Sequence, residues 1–368
     1  MASNLQKEWA STKVLNPVPV DILIFERRNL MNWKRLVIIL ALSIMLILGS
    51  SGVAAAKNPP ATPTATLLVT GLEGGSGSTI GPDGALYIPE TLAGRISRVD
   101  PQTGEVTTFA SGLPKQLAIL GLGGVMDVAF IGNTAYALVT LVASDWGGSD
   151  IVGIYRVDGP DRFTIVADIG EWAIENPPDP SIIIDTPTGV QYAMQTYRGG
   201  FLVTDGHHNR VLRVTRDGEI SEVIAFGNIV PTGLAVRGNT IYMGEAGPVP
   251  HLPENSKVMS FTLKSPTATQ VASGAGLHVG LLVDVEFGRG NTVYALLQGV
   301  WDGLYEGSPA LPNTGALVKV NPNGTFTVIV DGLNQPTSFG FIGNTAYVVT
   351  LGGEIWKIEN VSPPPYGN

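Results

Sequence analysis

Six residues with oxygen-bearing side chains stand at a recurring position, at the start of short apolar segments. Two are aspartates and four are threonines: Thr79, Asp127, Thr188, Thr232, Asp284 and Thr337. Carboxylates and hydroxyls are the ligands that hard cations such as Ca²⁺ prefer. Asp127 and Asp284 could therefore hold a calcium ion with water, provided that the fold places them opposite each other. In the alternative interpretation, these groups bond strand ends and internal water, as buried polar groups must.

Aromatic residues occur in the long stretches between these segments. The four of interest are Trp146, Trp172, Trp301 and Tyr305. Aromatic rings bind flat apolar groups at low entropic cost, and loops held by a rigid scaffold commonly carry binding sites. We therefore predict that these four residues contact a ligand, together with Thr188, Thr232 and Thr337. In the alternative interpretation, the rings only pack the loops onto the fold.

The sequence contains no recognisable catalytic constellation. His207 and His208 are adjacent but lack the spaced glutamate of a zinc-binding helix, and no Gly-x-Ser-x-Gly elbow precedes a predicted helix. Cysteine is absent, which excludes a thiolate nucleophile and Cys-ligated metal centres. A further acidic set, Glu90, Asp205 and Glu245, is expected to cap turns.

A repeated turn motif must position these residues. Gly-Asn-Thr-x-Tyr occurs at residues 132–136, 238–242, 290–294 and 343–347, and looser copies occur at 83–87 and 198–202. Each copy places Gly-Asn, Asp-Gly or Gly-Gly between apolar segments, which is the strongest short-range signal of a β-hairpin. Six copies at intervals of roughly 40 to 66 residues are typical of propeller blades. We predict an all-β fold, a six-bladed β-propeller with four strands in each blade.

The ring is expected to close between the two ends of this domain. The last repeat, from Pro336 to Val361, supplies only three strands, whereas Thr66–Thr70 resembles the outer strands of the other repeats. The N-terminal strand is therefore predicted to close the last blade by pairing around Ile355. Closure removes the exposed edges of the sheets. Blades two and five would then be opposite, with Asp127 and Asp284 facing across the mouth of the channel.

The same strand order separates short turns from long loops. Connections from first to second and from third to fourth strands are short, whereas residues 143–150, 171–185, 244–256 and 299–314 all fall on the opposite face. We expect a small-molecule or polymeric ligand, or a partner protein, to bind this loop-rich face.

Composition excludes several classes of function. Hydrophobic residues make up 44% of the 368-residue chain and charged residues 14%, which is typical of a well-buried fold. The net charge of -9, without a basic stripe, argues against nucleic acid as a partner. We expect a monomer.

The N-terminal residues have the order and size of a signal peptide. Lys34 and Arg35 precede the apolar run Leu36–Leu48, and small residues follow up to Ala56. Cleavage near Ala56 would give an extracytoplasmic protein, periplasmic or secreted; the alternative is an uncleaved membrane anchor. Met31 could start this signal, so residues 1–30 are interpreted as a misassigned start or, with an anchor, as a cytoplasmic tail. The predicted organisation is signal peptide 31–56, linker 57–65, propeller 66–361 and tail 362–368.

Residues 200–214, Gly-Phe-Leu-Val-Thr-Asp-Gly-His-His-Asn-Arg-Val-Leu-Arg-Val, resemble NHL-type six-bladed propellers. More narrowly, residues 81–87, 242–245 and 315–324 are similar to the ScyD/ScyE family, exported propellers encoded with scytonemin biosynthesis. The resemblance covers about Thr66 to Val361. It implies an extracytoplasmic accessory role near an aromatic pigment pathway, and it provides no catalytic residues to carry over.

Three functional hypotheses follow. The leading one is an exported, non-catalytic propeller that binds a ligand or partner on its loop-rich face. The alternative is a hydrolase of the gluconolactonase or paraoxonase kind, which also use six-bladed propellers with a central Ca²⁺, and Asp127 and Asp284 would then be metal ligands. The third is a purely structural envelope protein.

Overall fold

The computed structural model describes residues 61–182, 185–305 and 307–362. All the described residues belong to one compact unit. The predicted signal peptide and the segment before it lie outside the described residues, as does the tail after Ser362, so those assignments stay predictions. No helix in the described part of the chain combines the length and apolar character needed to cross a membrane.

The described residues form six antiparallel four-stranded sheets, one for each predicted blade. Blade 1 contains β2 (Thr79–Ile80), β3 (Leu86–Glu90), β4 (Arg95–Val99) and β5 (Val106–Ser111). Blade 2 contains β6 (Gly124–Ile131), β7 (Thr134–Thr140), β8 (Gly153–Gly159) and β9 (Arg162–Asp168). Blade 3 contains β10 (Gln191–Tyr197), β11 (Gly200–Asp205), β12 (Arg210–Val214) and β13 (Ile220–Ala225).

The remaining blades repeat this order. Blade 4 contains β14 (Pro231–Arg237), β15 (Thr240–Glu245), β16 (Lys257–Thr262) and β17 (Ser265–Ser273). Blade 5 contains β18 (Gly280–Phe287), β19 (Val293–Gly299), β20 (Gly315–Val320) and β21 (Phe326–Leu333). Blade 6 contains β22 (Pro336–Ile342), β23 (Thr345–Thr350), β24 (Ile355–Glu359) and β1 (Thr64–Val69). A short helix, α1 (Ile169–Glu175), links blades 2 and 3. The predicted six-bladed propeller is confirmed.

The repeated turn motif has two structural tasks. Its glycine adopts a positive φ in the hairpin turn, as at Gly132 (60°) and Gly343 (66°), a conformation that glycine reaches without strain. Its tyrosine packs against an aromatic ring of the next blade. The ring centroids of Tyr242 and Phe287 are 5.1 Å apart, and those of Tyr294 and Phe341 are 5.0 Å apart. The motif therefore recurs because each blade needs both a tight turn and an anchor on its neighbour.

The ring closes through the N-terminal strand, as predicted. β1 pairs antiparallel with β24, with Thr64 opposite Glu359 and Val69 opposite Ile355. Beyond Glu359, the backbone N–H of Val361 donates to the carbonyl of Asn344 in a short turn of the same blade (3.0 Å). Both ends of the described propeller therefore lie on the face of the short turns. The loop-rich face is the opposite one.

Candidate functional site

The inner strands carry an irregularity near the loop-rich face. The pairing register shifts in β6, β10, β14, β18 and β22, at a β-bulge in each. A bulge inserts one unpaired residue and redirects side chains. Five residues at these bulges, together with Ser76 just before β2, line one cavity on the channel axis: Ser76, Met126, Tyr192, Thr232, Val283 and Thr337. We call these six residues the bulge ring.

The cavity above the bulge ring has a volume of about 140 Å³. Most of its remaining wall is apolar and comes from the loops, for example from Leu122, Leu281 and Pro309. None of the described lining residues is an Asp, Glu, Lys or Arg. An apolar cavity of about 150 Å³ is large enough to hold benzene. The cavity therefore suits an uncharged ring-sized group.

Three hydroxyls of the bulge ring donate to backbone carbonyls. Ser76 Oγ donates to the carbonyl of Met126 (2.6 Å), and Thr232 Oγ1 donates to that of Leu282 (2.9 Å). Thr337 Oγ1 lies 3.2 Å from the carbonyls of Gly75 and Val349. Because each hydroxyl has only one hydrogen, these oxygens can offer only lone pairs to the cavity. A bound molecule should therefore carry an N–H or O–H donor.

Tyr192 forms the floor of this cavity. Its hydroxyl donates across the channel to the carbonyl of Thr337, on the opposite blade (3.4 Å). Burial, with the nearby carboxylates of Asp284 and Asp127, raises the pKa of the Tyr192 hydroxyl, which keeps its proton available for this bond. The residue also lines a second, smaller cavity of about 60 Å³ further along the channel. Tyr192 therefore lies between the two cavities, as do Val283 and Thr337, which also line both.

The lower cavity contains three carboxyl groups. Asp127 Oδ2 accepts from the backbone N–H of Met194 in the next blade (2.7 Å). Asp284 Oδ2 accepts from the N–H of Phe339 and from Ser338 Oγ, both at 3.0 Å and both in the next blade. The third group is Glu286, which lines the same space. The two aspartates therefore tie neighbouring inner strands together.

Electrostatics in the lower cavity disfavours ionised carboxylates. Burial raises the pKa of Asp127 to about 8, with a contribution from the charge of Asp284. Burial likewise raises the pKa of Asp284 to about 7. Burial and the two aspartates raise the pKa of Glu286 well above its ordinary value. No lysine or arginine is among the described residues that line this cavity.

The carboxyl oxygens of the lower cavity match the ligand set of a calcium ion poorly. Ca²⁺ takes six to eight oxygen ligands. Here the Oδ2 atoms of Asp127 and Asp284 already accept backbone N–H groups, and their Oδ1 atoms accept the N–H groups of Val128 and Val285 (both 2.8 Å). Within the described ranges, no group of three or more His, Asp or Glu side chains is arranged to hold a metal ion. The structure brings the two aspartates to one cavity, and calcium binding there stays a prediction.

The threonines do not all reach the same place. Thr232 and Thr337 belong to the bulge ring, whereas Thr188 Oγ1 donates to Asp145 Oδ2 (2.7 Å), outside the cavity lining. Thr79 pairs with Tyr87 in the sheet of blade 1 and lines the lower cavity with Asp127 and Asp284. The six residues therefore do not share one position: Thr232 and Thr337 lie at bulges, whereas the two aspartates directly follow bulges. Met126 and Tyr192 occupy places in the ring that the sequence pattern assigned to other residues.

The predicted aromatic residues lie around the cavity rather than in its wall. Trp301 Nε1 donates to Ser308 Oγ (2.9 Å), and its ring stands edge-to-face against His251, a lining residue, at 5.1 Å. The Trp172 ring packs under the guanidinium of Arg210 at 4.8 Å. Trp146 and Tyr305 also lie on the loop-rich face, and neither lines the cavity.

Two histidines line the upper cavity, and sequence reasoning gave neither a role there. His251 Nδ1 lies 2.7 Å from the carbonyl oxygen of Gly247, so Nδ1 carries a hydrogen and donates it to that oxygen. His207 Nδ1 lies 3.4 Å from Asp185 Oδ1. The one sequence feature that could have indicated this role is their position, since each histidine lies in a connection between the second and third strands of its blade.

The further acidic set pairs with basic residues instead of capping turns. Glu90 bonds Arg95 (2.7 Å), and Glu245 is the strand partner of Lys257. Asp205 contacts both His208 (3.0 Å) and Arg210 (3.2 Å). Burial acts to raise the pKa of Asp205, but the bonds and charges of His208 and Arg210 outweigh it, and the net shift is downward. In each case, the acid ends a second strand and its basic partner begins the third.

Comparisons with known proteins establish the fold. A solved structure of virginiamycin B lyase from Staphylococcus aureus is similar over 81% of this chain and 99% of its own, with a TM-score of 0.50 and 15% identity. A gluconolactonase from Xanthomonas campestris covers 81% of this chain and 89% of its own, with a TM-score of 0.56 and 10% identity.

The PQQ-bound aldose sugar dehydrogenase from Streptomyces coelicolor has a TM-score of 0.56 and 15% identity, over 82% of this chain and 99% of its own. No protein-family model matches the chain, and the search of curated proteins found no match. At these identities the likeness concerns the propeller fold.

Proposed function

We propose that the protein binds a small organic molecule by placing an uncharged, largely apolar ring in the loop-face cavity. The observation that carries this proposal is the cavity itself, about 140 Å³ with no charged Asp, Glu, Lys or Arg among its described lining residues. Ligand sites of this kind combine apolar walls with a few fixed polar groups. The polar groups here are the hydroxyl oxygens of Ser76, Thr232 and Thr337, which act as acceptors.

The test compares two probes that differ by one hydrogen-bond donor. 4-Ethylphenol has a hydroxyl hydrogen, and 4-ethylanisole has a methyl group in its place. Isothermal titration calorimetry should show binding of 4-ethylphenol, with 4-ethylanisole about tenfold weaker because it leaves the bulge-ring acceptors unpaired. Absence of binding by both probes at millimolar concentration would overturn the proposal.

A cavity-filling variant locates the binding. Ala246 is buried and lines the cavity, so the ring of an Ala246→Phe variant would occupy the space that the probe needs. The variant should lose binding of 4-ethylphenol while retaining a cooperative thermal transition. Ala85→Phe is not a suitable control, because Ala85 lies in the core of blade 1. The control is Tyr305→Phe, because Tyr305 lies on the same face outside the cavity lining. This variant should bind 4-ethylphenol as tightly as the wild type does.

Enzymatic turnover of the bound molecule is the second candidate function. Two observations favour it: His207 and His251 line the cavity, and the solved structures similar in fold include a lyase, a gluconolactonase and a sugar dehydrogenase. A histidine-to-alanine variant of the S. aureus virginiamycin B lyase is described as catalytically inactive.

The test of turnover follows the hydrolysis of an ester such as 4-ethylphenyl acetate, which releases 4-ethylphenol and acetate. Hydrolysis that is lost in His251→Gln but retained in His278→Gln would support the enzyme, because His278 does not line the cavity. Equal hydrolysis rates in the wild type and in both variants would refute the enzymatic function and leave ligand binding as the only proposed function.

A further inference from the structure

Exposed apolar side chains concentrate around the mouth of the cavity. Of the large hydrophobic residues that are exposed, nine lie in connections on the loop-rich face: Leu92, Ile119, Ile174, Val249, Leu252, Val300, Leu304, Tyr305 and Leu311. The other four lie on the outermost strands of their blades: Leu67, Val106, Ile165 and Val328. Ile119 is 76% exposed and Leu304 is 71% exposed. Large apolar side chains exposed on one face favour that face as a binding surface.

The same connections carry a strong excess of acidic residues. At the described positions of the loop-rich face they include one lysine, Lys115, and ten acidic residues: Glu73, Asp145, Asp150, Glu171, Glu175, Asp179, Asp185, Glu254, Asp302 and Glu354. Arg95, Lys257 and Arg210 begin third strands at this face, and each is opposite its own acid in the sheet, at Glu90, Glu245 and Asp205. Those pairs therefore add no net charge to the rim.

The opposite face lacks this imbalance. Its short turns contain six acidic residues and four basic ones: Asp83, Asp100, Glu105, Asp161, Asp217, Glu219, Arg198, Arg216, Lys264 and Arg289. Among the described connections, the negative charge is thus concentrated on the loop-rich face. A field of one sign around a cleft raises the local concentration of ligands with the opposite charge.

Three of the exposed acids are linked to the cavity histidines by a contact or by their place in the same loops. Asp185 contacts His207, which lines the cavity, and the Asp185 side chain is 61% exposed. Glu254 is exposed and lies in the same loop as His251. Asp302 is exposed and directly follows Trp301, whose ring contacts His251. A cation that projected from a ligand in the cavity would meet these carboxylates.

We infer that the ligand is a cationic amphiphile, an uncharged ring carrying a short chain that ends in an amine. The ring enters the cavity, where no charged Asp, Glu, Lys or Arg lines the described wall, and the ammonium group stays at the rim near Asp185, Glu254 and Asp302. This inference rests on the proposed binding function and adds the charge of the ligand. Anionic ligands and anionic membrane surfaces are disfavoured by the same field.

The experiment uses three phenols of matched shape and different charge. Tyramine is cationic, 4-ethylphenol is neutral, and 3-(4-hydroxyphenyl)propionate is anionic. At about 20 mM salt, calorimetry should show tyramine bound about tenfold more tightly than the anion, with the neutral probe between them. At about 0.5 M salt the ratio should shrink to about twofold, since the charges are then screened.

Two triple variants with the same change in net charge locate the effect. The rim variant is Asp185→Asn, Glu254→Gln and Asp302→Asn; it should reduce the tyramine-to-anion ratio to about twofold at low salt. The matched control is Asp161→Asn, Asp217→Asn and Glu219→Gln on exposed turns of the opposite face. The control should keep the wild-type ratio, because these groups are separated from the mouth by the propeller and by solvent.

The outcomes separate this inference from the proposed function. If 4-ethylphenol binds and the three affinities do not follow charge, the cationic ligand is refuted and the binding function stands. If the ratio falls equally in both triple variants, the rim is not its source, and the inference fails. If 4-ethylphenol does not bind at all, the proposed function fails and this inference fails with it.

Discussion

A disulfide placed across the seam between β1 and β24 would test the ring closure on which every assignment of a loop to a face depends. Thr66 and Lys357 are direct cross-strand partners, and Thr66 is exposed. The chain contains no cysteine, so Thr66→Cys with Lys357→Cys introduces a single pair. Directly opposite residues of antiparallel strands lie within the Cα separation that a disulfide requires.

The size of the effect follows from the sequence separation. The two residues are 291 positions apart. In the chain-entropy model, a loop of this length stabilises the fold by about 5–6 kcal/mol, and measured values are more often about 2–4 kcal/mol. For a domain of this size, 1 kcal/mol shifts Tm by about 2 °C, so oxidation should raise Tm by about 4–12 °C.

The assay is thermal unfolding of the same preparation with and without dithiothreitol, after non-reducing mass analysis confirms the bond. A matched control joins Ser260 and Thr269, which are cross-strand partners within blade 4. That loop of about ten residues should stabilise the fold by no more than about 3 kcal/mol. Failure of the folded seam variant to form its disulfide would refute the closure, as would a reducible Tm shift no larger than that of the control.

Three further predictions concern the two aspartates of the lower cavity and Trp172. Because the pKa values of Asp127 and Asp284 are raised to about 8 and about 7, the folded state binds protons more tightly than the unfolded state. Stability should therefore fall by about 2–5 kcal/mol as pH rises from about 4 to about 8, which urea unfolding at pH 4 and pH 8 will measure. Calcium at about 1 mM should leave the Tm of chelator-treated protein unchanged at pH 7, because backbone N–H groups already occupy both aspartates; a rise of several degrees that is absent from Asp127→Asn would instead establish the metal site. Trp172→Ala should lower stability by about 2 kcal/mol through loss of packing beneath Arg210, with no change in 4-ethylphenol affinity; a large loss of affinity would place Trp172 in the binding site.

Local chemistry made the architecture predictable from the sequence. Gly-Asn and Asp-Gly turns require a positive φ that few other residues tolerate, and alternating apolar positions follow the two-residue period of a strand. Six copies therefore specified six blades. The missing outer strand at the C-terminus specified that β1 must complete blade 6, because an unpaired edge would expose its N–H and C=O groups.

The candidate site was only partly predictable. Thr232 and Thr337 line the upper cavity, whereas Asp127 and Asp284 line the lower cavity instead of facing each other across the mouth of the channel. Tyr192 as the floor was missed, because a β-bulge shifts the side chains by one position without leaving a residue pattern that marks it.

The sequence by itself determined the units, their number and the face on which the long loops lie, since turn chemistry and strand period act over a few neighbouring residues. Only the tertiary structure decided which side chains converge on the axis. That convergence depends on the register between strands and on contacts between blades, such as the bond from Tyr192 to Thr337 across 145 positions of the chain. Residues so distant in sequence become neighbours only when the ring closes.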